Sequence, residues 1–133
     1  ATVTPSALPL ERGMIERLPH LPDGVLGFVA SGQVTAGDYE TVLIPAIEAM
    51  ITQHGTVRLI YQIGPAFSGF TAGAMWDDAK LGMAHLKVWE RIAVVTDIDW
   101  IAGAVRLFGF AMPGAVKVFS NGQYDEAVEW VRA

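Results

Sequence analysis

The feature that most limits what this chain can fold into is the run Arg91 to Thr96, RIAVVT, an almost unbroken aliphatic stretch with a single charged residue at its start. A strand that faces water on one side alternates apolar with polar residues, whereas one covered on both sides does not. RIAVVT therefore predicts a central strand with structure packed on each face, and such strands belong to parallel sheets flanked by helices.

The rest of the chain supplies the flanking elements. Met14 to Leu18 reads as a short strand, ended by Pro19 and by the Pro22-Asp23-Gly24 turn that leads into a second strand, Val25 to Ser31. Tyr39, Val42, Leu43, Ala46, Ile47, Met50 and Ile51 then recur at helical spacing and make one face of an amphipathic helix. Thr35 and Asp38 form a capping box at its start, with Asp in place of the usual Glu or Gln. Pro45 falls opposite the apolar stripe, where a missing hydrogen bond can be met by water and a bend lets the helix wrap the sheet. His54-Gly55 closes the helix, the glycine in a left-handed cap.

Val57 to Ile63 is the third strand, Gly64 to Phe70 a loop, and Thr71 to Trp89 a second helix. A third helix spans Trp100 to Phe108, a last strand Ala115 to Phe119, and a fourth helix places Tyr124, Ala127, Val128 and Val131 on one side. The expected order is β-β-α-β-α-β-α-β-α. It makes an α/β fold with a mostly parallel five-stranded sheet, the first strand antiparallel, and four main helices joined by right-handed crossovers. Residues 1–13 are expected to be a flexible arm, broken by Pro5, Pro9 and Gly13, and residues 14–133 a single domain.

Composition narrows the function classes. The chain has 133 residues, 52% of them hydrophobic and 17% charged, with a net charge of −5 and no cysteine. The charge and the lack of a Lys/Arg cluster argue against nucleic acid and against electrostatic docking to anionic lipid. Without cysteine there is no disulfide or thiolate chemistry, which suits a cytoplasmic protein. Residues 1–13 lack the basic start and apolar centre of a signal peptide. The weakly charged run from Ile101 to Val116 holds Arg106 and Pro113 and is too short for a spanning helix.

No catalytic constellation emerges. Gly32 and Gly37 have the glycine spacing of a phosphate loop, but Asp38-Tyr39 follows where Lys and Ser or Thr are required. Ser68 lies outside any nucleophile elbow. His20, His54 and His85 have no second ligand at metal-binding spacing, so neither a metal nor a cofactor is expected. Asp78 and His85 share a helical face but sit about 10.5 Å apart along the axis, too far for a dyad. Asp77 and Asp78 read as carboxylates placed in the first turns by the helix dipole. Lys80 is four residues from Trp76 and can pack its stem along the ring.

Two helices carry more apolar surface than one sheet contact requires. In the second, Met75, Ala79, Met83 and Leu86 make one stripe, while Leu81, Ala84 and Val88 make another beside Asp77. In the third, Ile101, Ala104, Val105 and Phe108 make the core face, and Trp100 and Leu107 a second line. The surplus marks either a ligand site or a subunit interface.

Trp76-Asp77-Asp78, His85, Glu90-Arg91-Ile92-Ala93-Val94-Val95, Asp97, Trp100 and the closing Ala127-Val128-Glu129-Trp130 resemble the bacterial SpoIIAA-like family, and Pro45 in the first helix fits the same pattern. The resemblance runs from about Met14 to the C-terminus. It implies a domain of the STAS and CRAL-TRIO-like fold, from a family whose members mostly lack an assigned activity. The phosphorylatable serine of anti-sigma-factor antagonists is not matched, because the segment Ile63 to Phe70 lacks the aspartate that precedes it. The expected function is noncatalytic binding of an apolar small molecule or lipid between sheet and helices. Phe67, Phe70, Trp76, Leu81, His85, Trp100, Leu107 and Phe110 would line that site, with Asp77, Asp78 and Lys80 as its polar rim. The alternative is a homodimeric regulatory module in which the same residues meet protein.

Overall fold

The RIAVVT run lies in the interior of the sheet. A computed structural model describes residues 14–84, 86–109 and 114–133. The expected flexible arm, His85 and Phe110 lie outside these residues. Strands β1 (Ile15–Arg17), β2 (Val25–Val34), β3 (Val57–Phe70), β4 (Trp89–Thr96) and β5 (Ala115–Phe119) are hydrogen-bonded in that spatial order. β1 is antiparallel to β2, and all other pairs are parallel. β4 is thus bracketed by β3 and β5, and Ala93 to Thr96 are buried on both of its faces.

Four helices complete the domain. The first, α1, covers residues 36–54; α2 is Ala72–Ala84, α3 Asp99–Gly109 and α4 Tyr124–Arg132. Because successive parallel strands are neighbours, crossovers of one hand put α1, α2 and α3 on the same face. The core shows that division. Tyr39, Leu43 and Ile47 of α1, Ala74 and Leu81 of α2 and Ile101 of α3 pack with Phe28, Leu59, Tyr61, Ile63 and Val94 of the sheet. Ala127 and Val131 of α4 pack on the other face with Val25, Ile60, Ala93, Val95 and Phe119. Each fully buried aliphatic or aromatic side chain contributes about 1.5–3 kcal/mol, so the two layers are held chiefly by apolar burial.

Local signals set the helix ends. Thr35 and Asp38 form the expected capping box, and Gly55 takes a left-handed φ of 78° with its N–H on the Ile51 carbonyl at 2.8 Å. Thr71 caps α2, its hydroxyl accepting from the Ala74 N–H at 3.1 Å. Pro45 is exposed, and the turns before it, Tyr39–Leu43, widen into a π-helix. That widening absorbs the ring clash and lost hydrogen bond that a proline imposes on the preceding turn.

Three expectations are corrected. Gly64 to Phe70 is not a loop but the far end of β3, paired with a β2 that runs on to Val34. A bulge makes this possible: the register shifts on either side of Gly32, whose φ is 58°, so the two strands re-pair as Gly32 with Phe67 and Val34 with Phe70. α2 stops at Ala84 instead of Trp89, because a 3₁₀ turn over Leu86–Val88 delivers Trp89 into the core as the first residue of β4. Asp77 and Asp78, finally, lie in the second turn of α2, which begins at Ala72, where the dipole has largely faded, so it does not by itself account for them.

Candidate functional site

The fold concentrates its unusual chemistry where the start of α1 meets α2. Asp38 accepts hydrogen bonds from the Thr35 N–H at 2.8 Å, the Thr35 hydroxyl at 3.0 Å and the Met14 N–H at 3.0 Å. This buried carboxylate fixes the turn from which Tyr39 points into the core. Gly73 lies so close to α1 that a Cβ there would come within 3.1 Å of the Ala36 Cβ. The two helices therefore meet at short range, and Asp78 reaches Tyr39.

Tyr39 donates its hydroxyl proton to Asp78 Oδ1 at 2.8 Å, and its oxygen stands 3.1 Å from the Tyr61 hydroxyl. Tyr39 has one proton to give, so Tyr61 must be the donor to Tyr39 while Asp78 is ionised. The result is a chain, Tyr61 to Tyr39 to Asp78, leading from the core to the surface. Burial pushes both phenols above their ordinary range, and for Tyr39 the Asp78 charge adds to it. Asp78 is exposed as a residue, yet the protein packed around its carboxyl holds it above the usual carboxylate range, and the Tyr39 hydrogen bond works in the opposite direction. Phenols raised in this way are poor bases at neutral pH, so the chain suits anchoring better than proton transfer.

Beside it, Asp77 is 5% exposed, with Lys80 Nζ 3.5 Å from Oδ1 and no hydrogen-bond donor on Oδ2. Glu40 of α1 faces it. Hydrogen bonding to Asp77 and the Asp77 charge raise the Glu40 carboxyl, with Lys80 opposing. Lys80 also sits 5.9 Å from the centre of the Trp76 ring. Among the described residues no group of three or more metal-ligating side chains comes together.

The expected apolar site residues separate into two sets. Leu81 belongs to the core, and Phe67 and Phe70 pack against its edge with ring centres 4.7 Å apart. Trp76, Trp100 and Leu107 stand outward with exposures of 64%, 58% and 61%, joined by Met75 at 57%. Of the two stripes on α2, the one bearing Leu81 and Asp77 seats the helix, and Met75 and Ala79 face away. Tyr39, Tyr61 and Glu40 were not singled out from the sequence. Tyr39 falls on the apolar stripe of α1 and Tyr61 in an aliphatic strand, so their only signal was a hydroxyl at a core position.

Of the residues that carry the family resemblance, Glu90, Arg91, Asp97 and Trp130 help to fasten the last helical segment to the sheet. Arg58 pairs with Glu90 at 2.8 Å and donates to the Val131 carbonyl at 2.8 Å, while Arg91 lies over the Trp130 ring and donates to the Trp130 carbonyl. Two cations thus meet the carbonyl end of α4, where its dipole favours them. Asp97 accepts from the backbone and side-chain nitrogens of Asn121, both at 3.1 Å, and ties the end of β4 to the start of the last helical segment. A shallow cleft of about 240 Å³, bordered by Asp23, His54, Thr56, Arg58, Glu90 and Arg132, opens at this edge. Both guanidiniums that line it are already engaged, Arg58 by Glu90 and the Val131 carbonyl and Arg132 by Glu129.

Comparison with known proteins agrees with this architecture. A crystal structure of an uncharacterized protein from the DUF3478 family of Shewanella loihica PV-4, with a SpoIIAA-like fold, superposes with a TM-score of 0.72 at 28% identity, covering 88% of this chain and 91% of that one. No match to a functionally curated protein was found. The SpoIIAA-like family model matches residues 25–132, which takes in every helix and all strands but β1. The chain belongs to the SpoIIAA-like family.

Proposed function

We propose that this chain is a noncatalytic binding module whose recognition surface is the outer face of α2 and α3. The observation that carries the reading is the exposure, between 57% and 64%, of Met75, Trp76, Trp100 and Leu107 on helices whose inner sides are already seated on the sheet. Isolated exposed apolar residues need no explanation, but four large ones on neighbouring crossovers mark an interaction surface. Tryptophan, methionine and arginine are the residues enriched at such surfaces, and Arg106 is exposed between Trp100 and Leu107 on α3. The class of partner is apolar, either protein or lipid. No described helix is long and apolar enough to cross a membrane, so a lipid partner would be met at its surface.

A second reading has a specific observation of its own. The Tyr61–Tyr39–Asp78 chain ends at an exposed residue of α2, which supports a small apolar molecule with a hydroxyl or amide head held by Asp78. Native mass spectrometry of gently purified protein would then find a bound species that Asp78→Ala releases.

The test of the surface reading is tryptophan fluorescence. Trp89 is buried and Trp130 is half-buried against Phe119 and Arg91, so acrylamide quenching of the free chain comes chiefly from the exposed Trp76 and Trp100. Rising protein concentration, neutral phosphatidylcholine vesicles and a medium-chain fatty acid are compared as partners. At least one is expected to shift the emission to the blue and protect it from quenching, and to do so less in Trp76→Phe and Trp100→Phe. No response to any of the three contradicts the reading.

A further inference from the structure

The outer face of α3 is complementary to itself. Asp99, Trp100, Gly103, Arg106 and Leu107 are all exposed, and at 3.6 residues per turn they share one side of the helix. An acid and an aromatic stand at its start, a base and an aliphatic near its end, and a glycine in the middle. A Cβ placed on Gly103 would meet no atom within 4 Å, so nothing within the fold requires glycine there.

This order is symmetric about Gly103. Laid antiparallel on a copy of itself, α3 brings Gly103 against Gly103, the Trp100 ring on one flank against the other copy's Leu107, and Asp99 on the opposite flank against the other copy's Arg106. The glycines meet on the axis and each of the other contacts occurs twice, as a two-fold interface demands. Apolar burial on one flank and opposite charges on the other are both favourable there, and the central glycine lets the helix axes approach closely. An unrelated partner would place no such symmetry requirement on the helix.

Area points the same way. Met75, Trp76, Trp100 and Leu107 together expose roughly 500 Å² of side chain at the sizes usual for these residues. That is well over half of the ~800 Å² that each member of a stable pair buries.

We infer that the occupant of the α2–α3 face is a second copy of this chain, held by antiparallel α3 helices crossing at Gly103. The inference rests on the reading of that face as the recognition surface and names its partner.

Sedimentation velocity of the full chain tests it. The parent chain sediments as a dimer at micromolar concentration. Gly103→Gln puts a side chain into the crossing but leaves the free fold unobstructed, and Arg106→Glu sets an acid against Asp99; each weakens the dimer about tenfold or more. Adding Asp99→Arg to Arg106→Glu restores opposite charges and recovers association. Circular dichroism of each variant confirms that α3 is intact. A dimer that survives both Gly103→Gln and Arg106→Glu overturns the inference, since the contact then lies elsewhere. A strict monomer whose Trp76 and Trp100 still respond to vesicles or fatty acid overturns the dimer but leaves the recognition face. A strict monomer with no response to any partner removes both.

Discussion

Replacing Tyr39 with Phe removes one oxygen and breaks two hydrogen bonds. Tyr39 is 1% exposed and donates to Asp78 at 2.8 Å, while the Tyr61 hydroxyl is 3.1 Å away and 8% of Tyr61 is exposed. A hydrogen bond to a charged group is worth about 1.5–3 kcal/mol, and the lower end applies because Asp78 is exposed as a residue, so its carboxyl can turn to water once the Tyr39 hydroxyl is gone. The stranded Tyr61 hydroxyl has no such recourse and adds about 1 kcal/mol. The expected loss is about 2–3 kcal/mol, or a midpoint lowered by roughly 6–12 °C in a domain of this size.

The pH dependence sharpens the prediction. The folded-state Asp78 carboxyl lies above the usual range, so its ionisation takes stability away as pH rises through that value, and the Tyr39 hydrogen bond limits the loss. Without the hydroxyl, Asp78 rises further. The difference between parent and variant is then smallest below about pH 4, where the carboxyl is protonated in both folded and unfolded states, and grows toward neutrality. Urea unfolding of Tyr39→Phe and Tyr61→Phe across this range is the assay, with Tyr61→Phe the milder because Tyr39 keeps its bond to Asp78. A loss for Tyr39→Phe under about 1 kcal/mol that does not change with pH would refute the reasoning.

Two further substitutions probe other parts of the structure. In Gly114→Ala the new Cβ would run into the Trp89 carbonyl oxygen, a backbone atom that cannot move without parting β4 from β5 at its first pair. A loss of about 1–3 kcal/mol is expected by thermal melting, and a neutral outcome would show that this junction is looser than described. In Glu40→Gln a carboxyl raised by Asp77 is replaced by a neutral amide that can donate to the Asp77 carboxylate. Since a raised carboxyl loses its stabilising contribution as pH rises through its folded value, the variant should melt higher than the parent at neutral pH and no higher in acid. A gain confined to acid would contradict that pairing.

How much of this was legible depended on the kind of signal. RIAVVT, the apolar stripe of α1, the Thr35–Asp38 box and the Gly55 cap are periodicities or local hydrogen-bond patterns, and each appears where the residues place it. The end of β3 was not legible, because Gly64 and Pro65 mark a turn in sequence while a bulge at Gly32 on another strand keeps them paired. Asp77 and Asp78 misled for a related reason. Their meaning depends on Glu40 and Tyr39, 37 and 39 residues earlier, brought near by the close contact of Gly73 with Ala36. The double apolar stripes of α2 and α3 were readable, but not which stripe of α2 faces inward. Asp77 settles that choice by lying on the buried side, supported by Lys80.

The central claim is that the outer face of α2 and α3 is where this protein meets its partner. Hydroxyl-radical labelling of the intact chain, read by mass spectrometry residue by residue at low and high protein concentration, tests it most directly. Buried Trp89 serves as the internal reference and exposed Arg132 marks the opposite layer. The account predicts that labelling of Met75, Trp76, Trp100 and Leu107 falls as concentration rises while Arg132 is unchanged. Protection that appears instead on α4 or along the Arg58–Glu90 cleft, with the four apolar side chains still fully labelled, would contradict it.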